Sequence, residues 1–311
     1  MRDRLLSLLS LLSPLALIAA AIVAPTSASA LTLVDETLII EMPYGLAEGE
    51  RIHATDSTIR VVGDGAILGP FPGFAPAQAE MELRGFSRVE LDSVRPSELA
   101  LVDIYDDSQL ILTNGAPFYY PGLLRLHDRA SFQMLGGGLN EGSLFLDGES
   151  TALLSDGLIG SGGDGSLQVS GAASFVMTGG TLVTALGTSF GGALAQISGG
   201  SVRNPLSLDA GLVEISGGEF QNCNLCPEPD VGLWTLAGAS LVVRGSGLVL
   251  APDGSSRYFL TGFLEDGSPL NVEVRGDVGN VSLLNAPEPR TGLLITLGLS
   301  VALALRRRRH R

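Results

Sequence analysis

Between Ala130 and Gly218 the chain repeats one pattern. A small residue is followed by apolar residues at alternating positions, then a polar–glycine or glycine–glycine pair. The copies are Ala130–Gly137, Ser174–Leu182, Ala193–Gly200 and Gly211–Gly218, with looser ones around Leu91, Leu112, Leu154 and Val243. The apolar residue just before each turn marks the repeat: Leu91, Leu112, Met134, Leu154, Met177, Ile197, Ile215 and Val243, at intervals of 21, 22, 20, 23, 20, 18 and 28. Within an interval the apolar period is two, which is strand spacing. Gly-Gly and Asp-Gly supply the positive φ angles of sharp corners. Second strands fit between the corners, as in Ser143–Gly148 and Ser166–Gly171. Two or three short strands per ~20 residues describe one coil of a parallel β-helix, whose coils stack at ~4.8 Å.

The pattern therefore predicts an all-β chain, a right-handed parallel β-helix (solenoid) with the marker residues as an inward ladder. A β-sandwich, the alternative all-β architecture, would hold no fixed interval. Residues 31–90 lack the repeat. Thr37–Ile40 and Thr58–Val62 within them read as strands of an N-terminal β cap over the solenoid's open end. The repeats occupy 91–250, and 251–286, with Arg257–Gly262 and Asn271–Val274, reads as terminal β strands.

The two ends have a different character. Residues 1–30 open with Arg2 and Arg4, continue through an apolar run from Leu5 to Val23, and end in Ala28-Ser29-Ala30. This is the order of a secretory signal peptide, with Ala28 and Ala30 forming the small-x-small peptidase site. At the other end Pro287-Glu288-Pro289 precedes an apolar stretch, Gly292–Leu305, and then Arg306, Arg307, Arg308 and Arg309. Two prolines keep a helix from extending backwards, and the arginines hold the inner face of a membrane. The stretch from Thr291 to Leu305 reads as a transmembrane helix, short against a ~30 Å hydrocarbon core.

This order resembles the PEP-CTERM sorting signal of Gram-negative bacteria, over about 25 residues. The resemblance implies an exosortase-type processing enzyme as partner, transient residence in the inner membrane, and a final place at the cell surface or outside the cell. It also implies association with exopolysaccharide and biofilm. The same tripeptide at Pro227-Glu228-Pro229 is followed by Asp230 and no apolar run, so it reads as a loop.

Composition narrows the chemistry. All 19 basic residues are arginine, so no lysine is available as a phosphate ligand, Schiff base or general base. From Leu31 to Pro289 there are 11 arginines against 32 acids, a net of −21, which argues against nucleic acid as a partner. Cys223 and Cys226 fall in the longest interval; in an exported protein they read most simply as a local disulfide, with free thiols the next alternative. Gly162-Gly163-Asp164-Gly165-Ser166-Leu167 is similar to a calcium-binding nonapeptide but carries Leu167 where that motif needs aspartate. No cofactor or metal site is expected.

One constellation remains. Counting back six residues from the markers gives Asp106, Asp128 and Asp209; counting back seven gives His127 and Asp147. Equal offsets on adjacent coils lie one above another, so Asp106 and Asp128 are expected ~5 Å apart, beside Asp107, Arg125 and Arg129. Two readings follow. Aspartate suits turns because its side chain bonds the local backbone, which fits an exported structural protein with no catalytic residues. A converging pair would instead suit a carbohydrate-active enzyme, a polysaccharide lyase or hydrolase.

Overall fold

The computed structural model of the chain describes residues 30–46, 51–68, 79–93, 99–115, 122–139, 142–160, 165–204, 206–221, 232–235, 238–254 and 257–286. Apart from Ala30, the expected signal peptide lies outside the described residues, as do Cys223, Cys226, both Pro-Glu-Pro tripeptides, the stretch 291–305 and the arginine tail. Among the described residues no helix is long and apolar enough to cross a membrane.

The described chain is all-β, with a single short 3₁₀ turn at Val278–Asn280. Its strands form a parallel β-solenoid. One ladder begins with Leu31–Val34 and passes in parallel through Arg51–Thr55, Ala79–Arg84 and Leu99–Ile104 to Gly232–Thr235 and Pro269–Gly276. A second begins with Thr37–Ile40 and runs through Thr58–Gly63 and Arg88–Ser93 to Ala239–Pro252 and Val281–Asn285. A third, shorter one stacks Gly138–Leu139, Leu158–Ile159, Thr181–Leu182, Ser201–Val202 and Glu219–Phe220.

The marker residues stand in register on the second ladder. Leu112 pairs with Leu91 and Met134, Leu154 with Met134 and Met177, Ile197 with Met177 and Ile215, and Ile215 with Val243. All are buried, as alternation on a pleated strand requires of one face. Among the described side chains Phe132 and Phe175 are the bulkiest that are fully buried.

Two columns of corners let the strands close into coils. Where the second ladder turns into the third, Gly137, Gly157, Gly180, Gly200 and Gly218 all have positive φ. They also pack backbone on backbone: a Cβ at Gly200 would come within 2.6 Å of the Gly180 carbonyl oxygen. The other corner, between the first ladder and the second, tucks in small residues: Ser57, Ser87, Ser108, Ala130, Ser150, Ala173 and Ala193 are all buried. Ser87 Oγ accepts from the Ser57 N–H at 3.2 Å and donates to the Arg84 carbonyl at 2.8 Å.

Residues 31–90, expected as a cap outside the repeat, run in the same ladders as the repeats. Val61 pairs with Leu91 across 30 residues, an interval lengthened by the segment 69–78, and that lengthening hides the repeat. One terminal strand departs from the parallel rule. Tyr258–Leu264 lies antiparallel between Pro269–Gly276 and the outer half of Ala239–Pro252. Its turn is clamped by Asp266, whose carboxylate accepts from the N–H of Gly218 at 2.7 Å and of Ser268 at 2.8 Å. Partial burial works to raise the Asp266 carboxyl, but these N–H donors outweigh it and hold the group below the usual carboxylate range.

Two outcomes follow. Phe175→Asp places a charge in the stacked core and should cost at least ~3 kcal/mol, whereas Ser174→Asp, one residue away on the outer face, should stay within ~0.5 kcal/mol by urea melts. Because the folded Asp266 carboxyl is depressed, its contribution is present above the unfolded value near ~3.9 and is lost as pH falls through the lower folded value. Asp266→Asn should therefore flatten the loss of melting temperature between about pH 5 and about pH 2, read by scanning calorimetry.

Candidate functional site

The corner between the first and second ladders contains the aspartate column. Asp35, Asp56, Asp106 and Asp128 have φ of 53°, 49°, 59° and 55°, and Gly85, Gly148 and Gly171 hold the matching place in other coils. Aspartate is one of the few side chains that tolerates this left-handed region. It also bonds across coils. Asp106 Oδ2 accepts from the Gly85 N–H at 2.9 Å, Asp128 Oδ2 from the Asp106 N–H at 3.4 Å, and Asp56 Oδ1 from the Phe86 N–H at 2.8 Å. Asp106 and Asp128 are stacked on adjacent coils as the spacing predicts. Their carboxylates are turned onto the backbone of the neighbouring coil, and they stand at a corner rather than in a cleft.

The flanking groups pair among themselves. Arg129 grips Asp107 with two hydrogen bonds, Nε to Oδ1 at 2.8 Å and Nη2 to Oδ2 at 2.6 Å. The Arg129 guanidinium holds the exposed Asp107 carboxyl below the usual range, and Asp107 raises the guanidinium in turn. Asp147 Oδ1 accepts from Ser170 Oγ at 3.2 Å, and Asp209 Oδ1 accepts from Ser207 Oγ at 3.4 Å.

Beside the corner, the outer face of the first ladder carries a second column. Arg84, Tyr105 and His127 lie at equal offsets in successive coils, at or just past the strand ends. The Arg84 guanidinium sits 4.3 Å from the Tyr105 ring centroid, and the rings of Tyr105 and His127 stack at 4.6 Å with planes 10° apart. Burial raises the Tyr105 phenol, with Asp103 and Glu82 adding to it. The hydrogen bond from Arg84 to Glu82 raises the guanidinium. His53 Nδ1 lies 3.5 Å from Glu82 Oε2.

One pair stands apart. Asp103 Oδ1 and His127 Nε2 face each other at 3.7 Å, both atoms are buried, and neither has a hydrogen-bond partner among the described residues. Arg125 Nη1 is 4.0 Å from the same Asp103 oxygen. An imidazole held against a carboxylate is the arrangement of a general base with its orienting acid. The register arithmetic that found His127 also reaches Tyr105, 22 residues earlier, and Arg84, 21 before that.

On the outer face of the second ladder a shallow depression is lined by Val176, Gln196, Ser198, Glu214, Ser216 and Arg244. Gln196 Nε2 donates to Glu214 Oε2 at 2.9 Å, and Arg244 Nη2 lies 3.5 Å from Glu214 Oε1. Among the described residues no group of three or more histidine, cysteine, aspartate or glutamate side chains could hold a metal ion.

Comparison of the chain with protein-family models, with curated proteins and with solved structures gives no match. The left-handed corner makes its own demand. Asp106→Val forces a β-branched residue into positive φ and removes the bond to Gly85, so it should cost ~2 kcal/mol in urea melts. Asp106→Asn keeps an acceptor and tolerates the angle, and should stay within ~0.5 kcal/mol of the parent.

Proposed function

We propose that this chain is an exported structural protein of the cell surface or extracellular matrix, sorted by an exosortase-type system and associated with exopolysaccharide. The signal peptide ends at Ala30, and the sorting signal is Pro287-Glu288-Pro289, the apolar stretch to Leu305 and Arg306–Arg309. Between them lies a solenoid of right-handed coils of about 20 residues.

The observation that carries this reading is the order of parts at the C-terminus: Pro287-Glu288-Pro289, an apolar stretch and then a run of arginines. The described strands, from Leu31–Val34 to Val281–Asn285, all lie between the two expected processing points. Processing at both points would thus leave every described strand intact. That body is acidic, with its flanking charges in mutual pairs and its corner aspartates bonded to backbone, which suits a scaffold. Such a surface meets neutral glycans through hydrogen bonds and anionic ones through bridging divalent cations.

A second reading, a β-helix carbohydrate-active enzyme, is favoured by the Asp103–His127 pair alone. It requires glycan turnover that Asp103→Asn or His127→Ala abolishes.

Replacing Pro287, Glu288 and Pro289 by alanine should strand the precursor in the inner membrane, read by cell fractionation and immunoblotting. Deleting the exosortase-type enzyme should do the same. Normal delivery of the triple variant to the exterior would contradict the sorting reading.

A further inference from the structure

The antiparallel strand Tyr258–Leu264 has two apolar faces. Leu260 and Leu264 are buried, while Phe259 and Phe263 point the other way and are 38% and 55% exposed. Cross-strand pairing continues that outer face: Phe259 stands opposite Ala251, Thr261 opposite Val249 and Phe263 opposite Ser246. Val249 is 53% exposed, and so is Leu284 to 44%, opposite Arg244. Gly245 ties the two pairings together, with Leu264 on one side and Asn285 on the other. The chain passes on toward its tail beside this face. The Ala286 N–H donates to the Gly245 carbonyl at 2.6 Å. The Asn285 side chain clasps Leu248, accepting from its N–H at 2.7 Å and donating to its carbonyl at 3.3 Å. Ala286 is thereby fixed two strands from Phe263, ~10 Å away.

We infer that this face rests on the outer surface of the lipid bilayer while the tail holds the chain in the membrane. The inference rests on the reading of 291–305 as a membrane-inserted stretch. Only Pro287, Glu288, Pro289, Arg290 and Thr291 separate Ala286 from Gly292, where the apolar run begins. Those few Cα steps span at most roughly 20 Å. The outer face of the strand pair is therefore held close to the hydrocarbon boundary. This tether selects the occupant: a bilayer is the apolar phase that the same chain brings to the face, whereas any other partner must find it from solution. Aromatic and aliphatic side chains on such a surface sink into the boundary between headgroups and acyl chains. Asp253 and Glu265 are exposed beyond the two ends of the pairing, so the surface fits zwitterionic headgroups and is repelled by anionic ones. Val249, Phe259, Phe263 and Leu284 thus anchor the solenoid at the interface and keep Pro287-Glu288-Pro289 at headgroup level.

The test uses the full chain in phosphatidylcholine vesicles, with Cys223 and Cys226 replaced by serine and one new cysteine carrying a nitroxide label. Leu299→Cys reports whether the tail is in the bilayer, and Phe263→Cys whether the face rests on it. Thr151→Cys, exposed on a distant coil, is the reference for water. Collisions with molecular oxygen, which concentrates in lipid, are compared with collisions with a water-soluble nickel chelate. At Phe263 the nickel collision rate should be at least about fivefold below that at Thr151, with the oxygen rate raised. Adding Val249→Ser and Phe259→Ser should restore the nickel collisions at Phe263 and leave the melting temperature unchanged, since both side chains are exposed. A lipid-buried label at Leu299 with Phe263 as open to nickel as Thr151 overturns the inference and leaves the tail reading standing. A label at Leu299 in water overturns both. Shielding of Phe263 from oxygen as well as from nickel marks cover by protein, either the tail or a second copy, and overturns the inference too.

Discussion

Everything in this molecule depends on one constraint: successive coils stack in register, so that each residue's nearest neighbour is the one a single interval along the chain. Parallel strands ~4.8 Å apart make like positions touch like positions. An inward position then tends to be apolar coil after coil, as the markers are from Leu91 through Val243, with Thr188 and Thr235 the buried exceptions in one column of the first ladder. A corner that needs positive φ needs it repeatedly, which is why glycine or aspartate recurs there. A small residue under the corner must stay small from Ser57 to Ala193, because a larger one would meet the coil on either side.

The same rule shapes the surface. Outer positions stack too, and on the first ladder this produces the Arg84–Tyr105–His127 column and its flanking ion pairs. Stacking satisfies charges locally. Glu273, almost fully buried near the C-terminal end, is met by Arg275 at 2.6 Å and Arg257 at 3.3 Å. Exposed pairs such as Arg129–Asp107 contribute little to stability. Their consequence is that the polar face is mostly turned toward itself, while Asp103 Oδ1 and His127 Nε2, buried and 3.7 Å apart, have no hydrogen-bond partner among the described residues.

How much of this could be read from residues alone follows from the same physics. Apolar alternation and glycine corners leave a strong imprint where intervals are regular, so the ladder of markers and the stacking of Asp106 on Asp128 were legible. In residues 31–90 the segment 69–78 stretches one interval to 30, and the stacking of Ile40, Val61 and Leu91 was not seen as a repeat. The pattern over Arg257–Gly262 marks a strand, found at Tyr258–Leu264, but direction leaves no trace in a pattern of period two. Arg84, Tyr105 and His127 were missed as a column because their chemistry differs, although their spacing is that of the markers. The meaning of Asp106 and Asp128 depended on where the carboxylates turn, and only the backbone N–H groups of Gly85 and Asp106 decide that.

The most direct test of in-register stacking is a set of distances between spin labels on one outer column of the second ladder. Thr58, Arg88, Gln109, Ser131, Thr151 and Ser174 are successive register partners. Double electron–electron resonance from a label at Thr58 should give separations that grow by a constant ~4.8 Å per coil, reaching ~24 Å at Ser174. Stacking predicts that straight line, whatever the number of residues in each interval. Distances that rise and fall along the series, as hairpin-connected strands of a sandwich would give, would contradict it.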